Sequence, residues 1–174
     1  DVTGSMTLIK FGGKQILLEC GLYQDNSYLE AYKINSEKFK FNPTEIDYVF
    51  VGHTHIDHIG LLPRLVKEGF TGKIILTYAT SVMAKYLLLN CAFIVADEAR
   101  VLSKRYGREY DPLYSEDDVW NTIKLFHVYD EYDSLYQLDD IITFQWLKNS
   151  HCVGAAQLQL ILNDGLKKRK ILYT

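Results

Sequence analysis

The sequence predicts an α/β fold, an α+β sandwich in which stacked sheets carry helices as outer layers, and three observations support it. Apolar runs at Tyr48–Val51 and Lys73–Thr77 enclose a stretch with helical spacing, so strand, helix and strand alternate and a partly parallel sheet is implied. Hairpin patterns stand near both ends of the chain. Between them, Val82 to Ala96 is apolar on nearly every side, whereas an isolated surface helix shows only a stripe.

Taken in order, Leu8 and Phe11 precede a Gly12-Gly13 turn and Ile16-Leu17-Leu18 follow it, so residues 6–20 form a hairpin. Residues 25–45 are polar and rich in Tyr, Lys and Asn, closed by Pro43, and read as a loop with at most one short helix. Tyr48–Val51 is a continuous apolar run, the mark of a strand buried on both faces. Leu61, Leu62, Leu65 and Val66 repeat at helical spacing until Gly69, and Lys73–Thr77 is the next strand. The long helical stretch from Thr80 to Tyr106 is either sandwiched in this domain or packed on something outside the chain. Ser115 before Glu116-Asp117-Asp118 gives an N-cap and an acidic first turn, predicting a helix to about Phe126. Strand patterns return at 127–129, 141–147 and 155–162, and Asn163-Asp164-Gly165 turns the chain into a last strand at 170–173.

The 174 residues, 48% of them apolar, suffice for one domain with a real core, or for part of one. Asp1 begins the chain and Ile171–Thr174 read as a strand that stops without a cap, so both ends look cut. Cys20, Cys91 and Cys152 are an odd number at wide spacing, which suggests neither a disulfide framework nor a thiolate metal site and fits a reducing cytoplasm. No signal peptide pattern is visible, and the run Val82–Ala96, interrupted by Lys85 and Asn90, falls short of the roughly 20 residues a bilayer span needs. No membrane segment is therefore expected. A net charge of −3 is not that of a whole-surface nucleic-acid binder. The basic run Lys167-Lys168-Arg169-Lys170 reads as a solvated hairpin turn. Metal ions would themselves supply positive charge, so the acidic balance leaves a phosphodiester substrate open.

The sharpest feature is His53-Thr54-His55-Ile56-Asp57-His58, which holds three of the five histidines directly after an apolar strand. Extended residues alternate between faces, so His53 and His55 emerge on one side and can grip one ion together. The chain must turn between His55 and Ile59, which carries Asp57 and His58 to a neighbouring position suited to a second ion. Imidazole and carboxylate are ordinary ligands of zinc, and a strand before with a helix after is the expected context. A hydrogen-bonded polar loop is the alternative.

This segment resembles the His-x-His-x-Asp-His signature of metallo-beta-lactamase fold hydrolases. Residues 2–5 (Val-Thr-Gly-Ser), Leu17-Leu18-Glu19-Cys20-Gly21-Leu22-Tyr23-Gln24, Gly60–Leu65 and His151-Cys152-Val153-Gly154-Ala155-Ala156 resemble the beta-CASP, nucleic-acid-processing branch, in the same order along nearly the whole chain. The resemblance implies a four-layer αββα fold, incomplete here: residues 1–174 would be the first half of the metallo-beta-lactamase domain, with an inserted domain and the remaining half to follow.

It further implies that His53, His55 and His151 hold one zinc with an open position, and that Asp57 and His58 begin a second site. The missing ligands would be a bridging Asp shortly after Thr174 and a later His. Two zinc ions are thus expected in the whole protein and one in these residues, which alone would be inactive. Glu19 stands where the family usually carries Asp, as a partner behind the histidines. Cys20 and Cys152 read as packing residues and His127 as structural, while Thr3, Ser5, Tyr23 and Gln24 are candidates to line the cleft. The implied activity is zinc-dependent hydrolysis of RNA phosphodiesters by a metal-bound hydroxide, with Asp57 and His58 as catalytic residues. A hydrolase of thioesters or other small esters, or a non-catalytic subunit of an RNA-processing complex, are the alternatives. Besides RNA, the remaining portion of the same protein and a second copy of the chain are the candidate partners.

Overall fold

The computed structural model describes residues 4–174. Two sheets stack with helices on one outer side. The first sheet has strands β1 (Thr7–Phe11), β2 (Lys14–Leu18), β3 (Tyr48–Phe50), β4 (Lys73–Leu76) and β5 (Phe126–Val128), side by side in that order. β1 and β2 form an antiparallel hairpin, and β2 to β5 run parallel. The second sheet, β6 (Tyr136–Gln137), β7 (Ile142–Lys148), β8 (Ala156–Asn163) and β9 (Lys168–Tyr173), is an antiparallel meander.

Alternation along the strands explains why the first sheet reads as unbroken apolar runs. Ile16, Leu18, Tyr48, Phe50 and Ile75 face the second sheet, where Phe144, Trp146, Leu158, Leu160 and Leu162 meet them. Leu17, Val49, Ile74 and Leu76 face the helices. Both faces are covered, so neither alternates with polar residues.

The helices are α1 (Tyr28–Ser36), α2 (Ile56–Ile59), α3 (Leu62–Lys67), α4 (Tyr78–Tyr106) and α5 (Glu116–Ile123). α5 starts in a capping box between Ser115 and Asp118. α4 runs between the Thr77 N-cap and Gly107, which ends it in the left-handed region at φ +64°. It buries Ala84, Leu88, Cys91, Ala92, Val95, Ala99 and Leu102 as one stripe and exposes Tyr86 and Phe93 on the other side. Its 29 residues meet the length and mean hydropathy of a membrane-crossing helix, beyond what the interrupted run Val82–Ala96 suggests, yet the buried stripe is part of the domain core.

The structure departs from the sequence reading in several places. The helix expected to run to about Phe126 ends at Ile123, and Phe126 instead opens β5. The helix expected from Ile59 begins three residues earlier and breaks into α2 and α3, so Asp57 and His58 sit on a helix instead of a turn. β6 has no counterpart in the sequence reading; two residues are too few to show a period. Helices cover one side of the sandwich, and among the described residues none lies on the outer face of the second sheet.

Candidate metal centre

The first sheet delivers His53 and His55. Beyond β3 the chain stays extended, with the Val51 amide donating to the Ile75 carbonyl. Period-two alternation then turns Thr54 into the protein, where it is buried, and both histidines to the opposite side. The second sheet delivers His151 from the β7–β8 loop, tied to the first by the Ala156 amide donating to the Gly52 carbonyl at 2.8 Å.

The three imidazoles meet with ring centroids 4.8 Å apart in every pair and planes crossing at 81°, 85° and 90°. His55 Nδ1 lies 3.1 Å from His151 Nε2. Tetrahedral ligands at about 2.0–2.1 Å from an ion stand roughly 3.3–3.4 Å from one another, so this cluster is close to the shape of a three-imidazole site. Among the described residues, His53, His55 and His151 form one group whose donor atoms all lie within 4.8 Å, and Glu19, His53 and His58 form a second. Burial and the neighbouring rings of His58, His55 and His151 push the pKa of His53 down to about 4, keeping it in the neutral form that binds metal.

α2 delivers Asp57 and His58, and residues 19–22 hold that helix in place. Cys20 donates its amide to the His58 carbonyl, Leu22 to the Ile56 carbonyl, and Ser5 to the Asp57 carbonyl, at 2.8, 2.9 and 2.7 Å. The Asp57 carboxylate faces His58 Nε2 at 3.8 Å. The other ring nitrogen, Nδ1, faces Glu19 at 3.6 Å, beyond hydrogen-bond distance. Glu19 is 1% exposed and adopts φ +61°, a left-handed conformation uncommon for a residue with a side chain. Its Oε1 accepts the Gly52 amide at 3.0 Å, while Oε2 has no hydrogen-bond partner. Burial raises its pKa. Glu19 lies with His53 and His58 in one group of candidate donors.

Together these residues line a cleft of about 450 Å³ that Asn149, Tyr173 and Thr174 complete. Tyr173 was missed by sequence reasoning; its signal is strand alternation, which points it inward beside Leu158. Ser5 stands behind it, its hydroxyl 3.0 Å from the Tyr173 hydroxyl. Tyr23 and Gln24 line a separate cavity between α1 and α4, and Thr3 lies outside the described residues. Cys20 is buried core, Cys152 is half-buried in the His151 loop, and His127 is exposed on β5.

The model of the metallo-beta-lactamase superfamily matches residues 1–122. Curated relatives include Ribonuclease TTHA0252 of Thermus thermophilus, 42% identical over 56% of this chain and 22% of its own length. Endoribonuclease YSH1 of Yarrowia lipolytica is 31% identical over 90% and 17%. Cleavage and polyadenylation specificity factor subunit 3-I of Arabidopsis thaliana is 28% identical over 100% and 22%. The chain therefore spans about a fifth of the length of these relatives. Among solved structures, a subclass B3 metallo-beta-lactamase, MEM-A1, from a soil metagenome library matches with TM-score 0.56 and 14% identity, over 99% of this chain and 56% of the other. A Cronobacter sakazakii metallo-beta-lactamase described as HARLDQ motif mutant S60 gives 0.54 and 18% over the same shares. These last two speak to the fold alone.

Proposed function

This chain belongs to the metallo-beta-lactamase superfamily, and from that premise we propose that it carries the metal centre of a zinc-dependent hydrolase of the beta-CASP type, cleaving RNA phosphodiester bonds. The observation that carries the reading is the triangle of three mutually crossed imidazoles beside an Asp–His pair, in an open cleft. His53, His55 and His151 would hold the first zinc, and Asp57 and His58 would offer donors to a second. When bound, zinc would supply Lewis acidity and lower the pKa of a water toward neutrality. The Asp57 carboxylate, at the cleft wall, is the residue placed to accept a proton there. Glu19, fixed by the Gly52 amide, faces His58 Nδ1 at 3.6 Å and sets a buried carboxylate behind that ring. An RNA substrate is supported by the names of the relatives, all three of which denote RNA-processing proteins or ribonucleases. Three free cysteines fit a reducing compartment such as the cytoplasm.

A second reading, hydrolysis of small esters or thioesters, draws on one observation: no Lys or Arg is among the described residues lining the cleft. One experiment separates the two. Full-length protein loaded with zinc is offered labelled RNA and a thioester, alongside Asp57→Ala. RNA cleavage lost in the variant is expected; thioester turnover without RNA cleavage favours the second reading, and undiminished RNA cleavage by Asp57→Ala overturns the assignment.

A further inference from the structure

His151 is exposed, and among the described residues no hydrogen bond from outside the histidine cluster reaches its ring, so apart from the other imidazoles its place in the cleft is set by its backbone. Three residues on, that backbone is clamped. The hydroxyl oxygens of Thr77 and Thr80 lie 2.8 and 2.9 Å from the Gly154 carbonyl oxygen and 3.0 Å from each other. A carbonyl has two lone pairs, so it accepts both hydroxyl protons, which leaves Thr77 Oγ1 free to accept the Thr80 amide at 3.3 Å as the cap of α4. Both threonines are essentially inaccessible, at 1% and 0% exposure, and neither lines the histidine cleft.

The opposite wall of the contact is as tight. Gly154 has φ +82°, and a Cβ there would stand 2.7 Å from the Thr80 amide nitrogen and 2.9 Å from its hydroxyl. The loop approaches α4 this closely because residue 154 has no side chain. Its two ends are also held: the His151 amide donates to Asn149 Oδ1 at 2.9 Å, and the Ala156 amide to the Gly52 carbonyl.

We infer that Thr77 and Thr80 are positioning residues for the metal centre: by gripping the Gly154 carbonyl they hold His151 at the spacing that completes the three-imidazole site. This rests on the metal reading above and adds residues from an element that contributes no ligand. The hydroxyls act on His151 only, since His53 and His55 are set by β3.

The test is a cycle of zinc affinities, read by titration with Zn²⁺ in the full-length protein. Thr77→Val with Thr80→Val keeps shape but removes both donors, and the affinity of the three-histidine site falls about 10- to 100-fold, the range seen when groups supporting a ligand are lost. Thr77→Ser with Thr80→Ser restores the hydroxyls and the affinity. In a His151→Ala background the valine pair causes no further loss. If the valine pair fails to fold, Gly154→Ala perturbs the same contact from the loop side, with the same dependence on His151. Unchanged zinc affinity in a folded valine pair, or an equal loss with and without His151, overturns the clamp alone. Wild type that takes up no zinc overturns the metal reading and the clamp together.

Discussion

Gly21→Ala is the most telling single perturbation of the scaffold behind the site. Gly21 follows β2 where the chain passes between the Ser5 segment and α2, donating its amide to the Ser5 carbonyl at 2.9 Å, while Ser5 donates to Asp57. A Cβ on Gly21 would land on the Asp57 carbonyl, far inside the 3.0 Å that real Cβ contacts keep, and 2.8 Å from the Ser5 nitrogen. Both obstacles are backbone, so no side chain can swing aside. Either the Asp57 carbonyl or the Ser5 segment must move, breaking two hydrogen bonds worth about 1 kcal/mol each. Overpacking adds about 1–3 kcal/mol. The sum is a loss of roughly 3–5 kcal/mol, against about 5–15 kcal/mol for a whole domain. Urea denaturation measures it. Because the displaced carbonyl belongs to Asp57, turnover should fall more than the folded fraction does. A stability within about 1 kcal/mol of wild type, with full activity, would refute the reasoning.

Other outcomes follow from the same geometry. His151→Ala should leave metal-free stability within about 0.5 kcal/mol, since the side chain is exposed, yet weaken zinc binding to the level that His53 and His55 alone retain; thermal melts and zinc titration check the pair. Saturating the site at about 100 times its dissociation constant should stabilise the fold by about 2.7 kcal/mol, and chelator should remove that gain; a melt indifferent to both speaks against a site formed only in the native state. At the far edge of the sandwich, burial opposes ionisation of Asp139, but the Ile141 and Ile142 amides, the Tyr48 hydroxyl and Lys14 outweigh it and hold its pKa below the ordinary 3.8. A depressed pKa stabilises above the unfolded value, so this contribution is present above about pH 4 and fades as the pH falls through the lowered value. Denaturation of wild type and Asp139→Asn from pH 7 to 3 should converge in acid; parallel curves would contradict the account.

The fold was legible wherever burial writes a period into the chain. Tyr48–Val51 reads as a strand covered on both faces because Tyr48 and Phe50 meet the second sheet while Val49 meets the helices. The pairing of His53 with His55 was legible for the same reason, with Thr54 turned inward. α2 was not, because four residues are too short for a helical period; the backbone bonds from Cys20 and Leu22 hold it. The arrival of His151 follows from the register of β7 with β8 and the bond from Ala156 to Gly52, which no local pattern announces. Thr77 and Thr80 look like an ordinary helix cap, and their second role exists only through a contact 74 to 77 residues away.

Departures from ordinary protein chemistry converge on the same cleft. Glu19 adopts a left-handed backbone conformation that costs of order 1–3 kcal/mol for a residue with a side chain. Among the described residues, four buried side-chain atoms have no hydrogen-bond partner, Gln15 Oε1, Glu19 Oε2, His58 Nδ1 and Trp146 Nε1, and two of these belong to the cleft. Four imidazoles crowd into van der Waals range, with His53 and His58 centroids 4.0 Å apart. Each feature opposes folding when considered alone, since buried polar groups and strained backbone persist only where the surroundings impose them. A bound cation reverses the sign of most of them: it gives the imidazole lone pairs a common acceptor and the Glu19 and Asp57 carboxylates a compensating charge. The cleft is thus the part of the molecule whose physical chemistry makes least sense without a metal, which is an argument independent of any resemblance in sequence.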